Sequence, residues 1–460
     1  MKQYSTHDKV DEERGGCRKS GSTITNVTRL VVLISFLALI NFVPWFFERP
    51  SKGRIQRSNR LGVVPWNNHC AHTSPIDKFE YYRRQNALVE KLLALNASAY
   101  IAEPGASATF FGNISQTNWK LSERPLLLII TPSEALEGPL AKISVLTPKF
   151  EATRAKSLLV PSESPVQYIE WPEDANPYEL ASSVFPHTVT GTIYVDSSIR
   201  KFIADGFELA LPNATILSAP ETIRELRERK SKAEIDLLKC ANEATVLAIR
   251  AVHQQLYVGI RESRARAWAA FALASFGLEN GGCLTLFGEN AALPHGSGTD
   301  RALNASDFAL FDCTASLHGY YSDVTRTVAL PGSTIPLEHH DIWKYVRAAQ
   351  TTALRAARAG VLTRSVDGAA RQLLGSEGYA TYFTHRLGHG IGLEVHEDPY
   401  LRGGSDVVIR SGHTFSDEPG IYIEGQVGVR LEDCFVIRED GAAILLTEGV
   451  GGQSQSPWAP

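Results

Sequence analysis

The sequence predicts an α+β protein in two folded parts. Three observations predict it: alternating helix-like and strand-like stretches from about Thr73, a change to dense mixed charge at Glu221, and two apolar hairpins beyond it that each carry paired acids. The 460 residues include 46 Lys plus Arg against 50 Asp plus Glu and are 43% hydrophobic, a globular composition with no excess of positive charge. No nucleic-acid partner is expected. The six cysteines, at 17, 70, 240, 283, 313 and 434, form no CxxC pair and are too sparse for a disulfide scaffold, so they are expected to pack as small apolar residues.

Residues 1–29 form a polar tail with charges of both signs. Residues 30–47, LVVLISFLALINFVPWFF, are uncharged and show no polar face at a 3.6 period. As a helix they would span roughly 27 Å at about 1.5 Å per residue, just enough to cross a bilayer. The expectation is an uncleaved transmembrane anchor and a single-pass membrane protein. A cleaved signal peptide is the main rival, which the long preceding segment and the bulky following residues fit poorly. Basic residues flank the span on both sides, Arg14, Arg18, Lys19 and Arg29 before it and Arg49, Lys52, Arg54, Arg57 and Arg60 after it, so the positive-inside rule is silent. Asn-x-Ser/Thr tripeptides at Asn96, Asn113, Asn213 and Asn304 lean towards a lumenal or extracellular catalytic part.

Residues 48–72 read as a linker, basic and then Pro/Asn/His-bearing without a sustained period. A smaller α/β domain over 73–220 follows. Phe79 to Leu95 has apolar residues at helical spacing, Leu126 to Thr131 is a continuous apolar strand, and Thr192 to Val195 is another. At Glu221 the mixed charge begins and runs into EATVLAIRAVHQQL, with Ala244, Leu247, Ala248, Ala251 and Val252 on one helical face, opening a second domain over 221–455.

The stretch FALFDCTASLHGYYSDVTRTVAL has two strand-like arms around Ser316 to Gly319, a turn that would set Asp312 directly opposite Asp323. Carboxylates facing each other that closely require a cation or a proton between them. The construction recurs in TFSDEPGIYIEGQVGVRLEDCFVI, where a loop around Gly425 sets Glu418 opposite Glu432 and the pleat brings Tyr422 and Arg430 to the same face. Either hairpin alone reads as a pair of solvated acids; two in one domain do not. Between them FTHRLGHGIGLEVHEDPY carries His385, His389 and His396, read as a loop feeding a strand that alternates from Gly392 to His396. Four carboxylates and an imidazole with no thiolate suit two divalent ions, Mn2+ first, with Co2+ or Zn2+ as alternatives. Such a pair would clamp a bridging water or hydroxide and polarise a scissile carbonyl.

The motifs GYYSDVTRT, HRLGHGIGLEVHE, EPGIYI and GVRLED resemble those of the pita-bread metallopeptidases, in the branch of aminopeptidase P and prolidase (Xaa-Pro dipeptidase), strongly over about Glu221 to Glu448 and weakly before it. The resemblance implies a pita-bread catalytic domain behind a creatinase-type α/β domain, short proline-containing peptides as substrates, hydrolysis of an N-terminal Xaa-Pro bond, and a homodimer. It implies Asp312, Asp323, His389, Glu418 and Glu432 as metal ligands, with Glu418 also the general base. His295, in GENAALPHG, and His396 would contact the substrate and the tetrahedral intermediate. His385 would open the histidine loop, and Arg430 would orient the acids and the substrate. Arg402 would meet a dipeptide's C-terminal carboxylate, as an arginine of this region does in some prolidases.

Two departures from the family pattern are Cys-Thr-Ala after Asp312, where glycine is commoner, and Asp417 beside Glu418, which the pleat turns to the opposite face. Rival readings are a non-catalytic binding module on the same fold and a non-peptidase enzyme such as a creatinase. All five ligand positions are intact, which speaks against both.

Overall fold

The computed structural model describes residues 69–135, 138–185 and 191–460, and these belong to one compact unit. The helix Lys78–Ala94 opens it, capped by the Asp77 side chain accepting from the Phe79 amide. Six strands follow in a mixed sheet: β1 (Ala97–Ala102), β2 (Leu127–Ala135), β3 (Gly138–Pro148), β4 (Gln167–Trp171), β5 (Thr192–Val195) and β6 (Thr215–Ser218), in the order β4-β3-β2-β1-β5-β6. Its central strands are buried on both faces. Leu128 and Ile130 face the core that holds Leu88 and Leu92 of the first helix, while Leu127 and Ile129 face another with Ile203 and Phe207. Burial on both faces is why the sequence shows a continuous apolar run there and no alternation.

The charged stretch after Pro220 forms two helices, Glu221–Glu228 and Lys232–His253. The break is set by a capping box, in which Ser231 caps Glu234 and the Glu234 side chain accepts from the Ser231 amide. One face of the long helix packs Leu237, Ala241, Ala244 and Ala248 against β8 (Ala309–Leu317) and β9 (Tyr320–Val328), which with β7 (Glu279–Phe287) make a three-stranded antiparallel sheet. A five-stranded sheet holds β10 (Gly388–Gly390), β11 (Glu397–Leu401), β12 (Thr414–Asp417), β15 (Asp433–Ile437) and β16 (Ala443–Leu445), and β13 (Gly420–Ile423) pairs with β14 (Val427–Arg430) in a hairpin. The helices Leu337–Ala356 and Thr363–Ser376 cover them through Ile342, Val346, Val366 and Leu374 against Phe415 and Phe435. The pita-bread fold and the α+β class are as expected.

Several expectations are corrected. No helix among the described residues is long and apolar enough to cross a membrane, and the stretch 30–47 lies outside the described residues. The expected membrane partner, single-pass localisation and lumenal or extracellular placing thus find no spanning helix to rest on among the described residues. Four cysteines pair as disulfides, Cys70 with Cys240 and Cys283 with Cys313, because Cys283 and Cys313 lie directly opposite on β7 and β8 and Cys70 meets the long helix; Cys434 alone packs as a buried free thiol. Cys17 lies outside the described residues. The first hairpin turns on His318 and Gly319 alone, both at positive φ, so Asp312 opposes Thr325 and Thr314 opposes Asp323. This two-residue turn slips the expected register by two, which keeps both acids on the same face. After Gly392 the chain bends through His396, and no strand starts until Glu397.

Candidate metal centre

β8 and β9 bring Asp312 and Asp323 to one face of their sheet, and the chain from β12 to β15 brings two more acids to meet them. The Gly420↔Arg430 and Asp417↔Asp433 pairings place Glu418 and Glu432 at matching points in the gap between two ladders, where neither is tied into a strand pair. His389 enters on β10, whose neighbours β11 and β12 close in on both sides. Ligand atoms lie within 4.8 Å of one another in three overlapping groups: Asp312, Asp323 and Glu432; His389, Glu418 and Glu432; and Asp323, His389 and His396. The groups contain all five expected ligands, joined by His396.

The electrostatics of this cluster call for cations. Burial, then the charges of Asp312 and Glu418, push the Asp323 carboxyl well above its ordinary range; burial and Asp323 do the same to Glu432, whose Oε1 is buried without a hydrogen-bond partner. Burial also works against an ionised Glu418, but the contact with His389 outweighs it and holds this carboxyl down to about 2. His389 donates from Nδ1 to the Gly390 carbonyl at 3.0 Å, which turns Nε2 towards Glu418 Oε1 at 3.2 Å and Asp323 Oδ2 at 3.6 Å. Either a proton on Nε2 joins His389 to these carboxylates, as in the contact that holds Glu418 down, or, in the neutral imidazole, a metal ion would take that proton's place between the Nε2 lone pair and the oxygens. Four carboxylates against one arginine leave room for the charge of two divalent ions. The donors are oxygen and imidazole nitrogen, and Cys434 turns its thiol to the Asp323 carbonyl. The residues fit a dinuclear site.

A second set of side chains fixes the first. Arg430, 2% exposed, donates from Nη2 to Asp312 Oδ2 at 2.6 Å and from Nε to Thr325 Oγ1 at 3.2 Å, and Thr325 in turn donates to Glu432 Oε2 at 2.7 Å. Its Nη1 donates to the Tyr422 oxygen at 3.1 Å. His385 donates from Nδ1 to the Arg386 carbonyl at 2.7 Å, and burial lowers its basicity, so Nε2 accepts from the Tyr422 hydroxyl at 2.8 Å. His385, Tyr422, Arg430 and Asp312 thus form one directed chain. Behind Glu432, buried Arg326 donates to its carbonyl at 2.6 Å and to Asp433 at 2.7 Å.

The remaining expected residues sit around this core. The His396 ring lies 4.2 Å from that of His389, and burial, then His389, lower its basicity to about 4. His295 is exposed, in the turn after Pro294, whose carbonyl faces Arg430 Nη1 at 3.5 Å; its charge is felt at His385 and His396. Arg402 is exposed and stands 5.8 Å over the Tyr400 ring. Asp417 stays out of the ligand groups, as the pleat required, with both oxygens buried and unpartnered. Sequence reasoning did not single out Thr325, Ser416 or Arg326. Ser416 Oγ accepts from the His389 amide at 3.1 Å and donates to Glu418 Oε1 at 3.2 Å; Thr325 and Ser416 each stand two residues from an acid, Asp323 and Glu418, the spacing that along a strand puts neighbours on one face.

A model of metallopeptidase family M24 matches residues 236–439. An uncharacterised peptidase of Schizosaccharomyces pombe is 37% identical over 387 residues, covering 83% of each chain. The Xaa-Pro dipeptidase of Pyrococcus furiosus is 30% identical over 305 residues, covering 66% of this chain and 84% of that one. Among solved structures, a dipeptidase from Mycobacterium ulcerans superposes with a TM-score of 0.72 at 28% identity, covering 81% of this chain and 97% of that one. The chain is a member of metallopeptidase family M24, in the aminopeptidase P and prolidase branch that its motifs resemble, and is a metallohydrolase.

Proposed function

We propose that the protein hydrolyses the Xaa-Pro bond at the N-terminus of dipeptides or short peptides, with Asp312, Asp323, His389, Glu418 and Glu432 holding two Mn2+ ions. The observation that carries this reading is the convergence of those five side chains within 4.8 Å groups, with a buried, unpartnered Glu432 oxygen among them. The named dipeptidase and prolidase relatives support the peptide substrate. When bound, the two ions would supply Lewis acidity to the scissile carbonyl and lower the pKa of the attacking water.

The chain's own residues then divide the work. Glu418 accepts the proton of the attacking water and hands it to the departing prolyl nitrogen. His396, kept neutral by its surroundings, donates an N–H to the developing oxyanion, and His295 borders the substrate's carbonyl side. Arg430 holds Asp312 and, through Thr325, Glu432, while His385 steadies Arg430 through Tyr422. Arg402 remains a candidate for the outer end of the substrate.

Hydrolysis of Gly-Pro beside Gly-Pro-Ala by the Mn2+-loaded protein tests this, with Glu418→Gln as the control. The expected result is release of glycine from at least one substrate and loss of turnover in the variant by about a thousandfold or more. Cleavage of neither peptide, or full activity in Glu418→Gln, contradicts the reading.

A further inference from the structure

Glu418 and Glu432 stand in the gap between two ladders, so no strand partner fixes their backbone there. Other groups hold it on both sides. The Glu418 amide donates to the Leu387 carbonyl at 2.9 Å, and the carbonyl of the same peptide unit, that of Asp417, accepts from Gln350 Nε2 at 3.3 Å. The Glu432 amide donates to the Thr325 carbonyl at 3.0 Å, and the Glu432 carbonyl accepts from Arg326 Nη1 at 2.6 Å. Gln350 and Arg326 are both 1% exposed, and both also bind the Asp433 carboxylate, Gln350 at 3.1 Å to Oδ2 and Arg326 at 2.7 Å to Oδ1. One buried carboxylate thus couples the backbones of the two glutamates.

The C-terminal tail meets both of these side chains. Arg326 Nη2 donates to the Gly452 carbonyl at 3.0 Å, and Gln350 Oε1 accepts from Gln453 Nε2 at 2.8 Å. The second contact decides which way the Gln350 amide faces. With Oε1 committed to the Gln453 donor, Nε2 is left for Asp433 and Asp417. The tail is itself anchored, by Arg347 Nε donating to the Ser454 carbonyl at 2.7 Å and by the Thr351 hydroxyl at 3.0 Å from Gln453 Oε1. We propose that the docked tail positions the metal centre: Gln453 and Gly452 orient Gln350 and Arg326, which hold Glu418 and Glu432 in register with each other. This rests on the reading of both glutamates as metal ligands and deepens it. Gln453 touches neither substrate nor ligand atom and acts through Gln350, as a positioning residue.

Removing Arg326 would strand the buried Asp433 charge and threaten folding itself, so the test falls on half-buried Gln453. Gln453→Glu keeps the size and the oxygen facing Thr351 but removes the donor, and a carboxylate there draws the Gln350 Nε2 away from Asp433 and Asp417. Gln453→Met removes the contact without that reversal. Mn2+ binding by calorimetry and the electron paramagnetic resonance of a spin-coupled Mn2+ pair are read on the full chain and on both variants, beside the unfolding midpoint of each metal-free protein. The unaltered chain is expected to bind two ions and to show the coupled signal. Gln453→Glu is expected to weaken the less tightly held ion by about tenfold or more, to lose the coupled signal and to lower kcat on Gly-Pro with little change in KM, and Gln453→Met to fall between. A lowered metal-free midpoint in Gln453→Glu with Mn2+ affinity and coupled signal unchanged would make the tail merely structural and overturn the proposal. Equal losses in the two variants would overturn it as well, since the facing of the Gln350 amide would then not be the cause. If the unaltered chain binds no Mn2+, the ligand reading itself falls, and the proposal with it.

Discussion

Asp323 and Glu432 are carboxyls that the fold alone does not satisfy: both are buried, burial and then neighbouring acids raise the pKa of each, and one Glu432 oxygen has no partner. Glu228 is a useful contrast. It is buried outside the centre, with burial first and Asp398 second pushing its pKa from 4.5 to about 7. The folded state therefore holds this proton more tightly than the unfolded chain does. Protonated Glu228 is tolerated below about pH 4.5, and stability is lost as pH rises through about 7. Glu228→Gln is expected to stabilise the protein by about 2 kcal/mol more near pH 8 than near pH 5. Urea midpoints at the two pH values check this, and a gain independent of pH would contradict it.

At the scale of elements, β10 depends on the absence of side chains. A Cβ on Gly388 would sit 2.0 Å from the Ser416 backbone oxygen of β12, and one on Gly390 would meet the Glu397 oxygen of β11 at 2.5 Å. The strand that delivers His389 is thus held closely between its neighbours, which explains the Gly-His-Gly sequence. Gly388→Ala is expected to cost about 2–4 kcal/mol and to weaken Mn2+ binding by about tenfold or more by displacing His389 from Glu418. Thermal unfolding with and without Mn2+ measures both, and an unchanged Mn2+ shift would contradict the displacement. Element-level reading of the sequence went furthest where side-chain alternation governs. The second hairpin's register follows from its turn at Gly425, since Gly420 pairs with Arg430 as the loop predicts. The first slipped by two because the turn closes on two residues alone, His318 and Gly319, both at positive φ, where a four-residue turn was expected. The histidine loop has no period to read, so the bends from Gly392 to His396 became visible only in three dimensions.

At the scale of the whole molecule, the proposed ligands come from β8, β9, β10, the gap between β12 and β13 and the gap between β14 and β15, segments that only the complete fold brings together. Helix Lys78–Ala94 joins this body through buried Arg84, which donates to Glu80 at 2.7 Å and to the Tyr320 hydroxyl at 3.2 Å, and Tyr320 donates to Glu234 at 3.0 Å. These links run from the first described helix to the start of β9, three residues before Asp323. The Cys70–Cys240 bridge ties the same region to the long helix across 170 residues of sequence. Neither connection was legible in the sequence, because both depend on pairings between residues far apart in the chain. The convergence of the four acids and the imidazole proposed as ligands was legible, because their motifs are local and the pleat sets which face each side chain takes. What the sequence could not show was how Arg430 reaches two of them at once, directly at Asp312 and through Thr325 at Glu432.

The most direct measurement of the central claim is the number of Mn2+ ions bound per chain, by calorimetry and elemental analysis, in the unaltered protein and in Glu432→Gln. Glu432 belongs to two of the three ligand groups, so the account predicts two ions in the first and one or none in the second, with the thermal stabilisation by Mn2+ reduced in step. Stoichiometric binding that is unchanged in Glu432→Gln, or no binding by the unaltered chain, would contradict it.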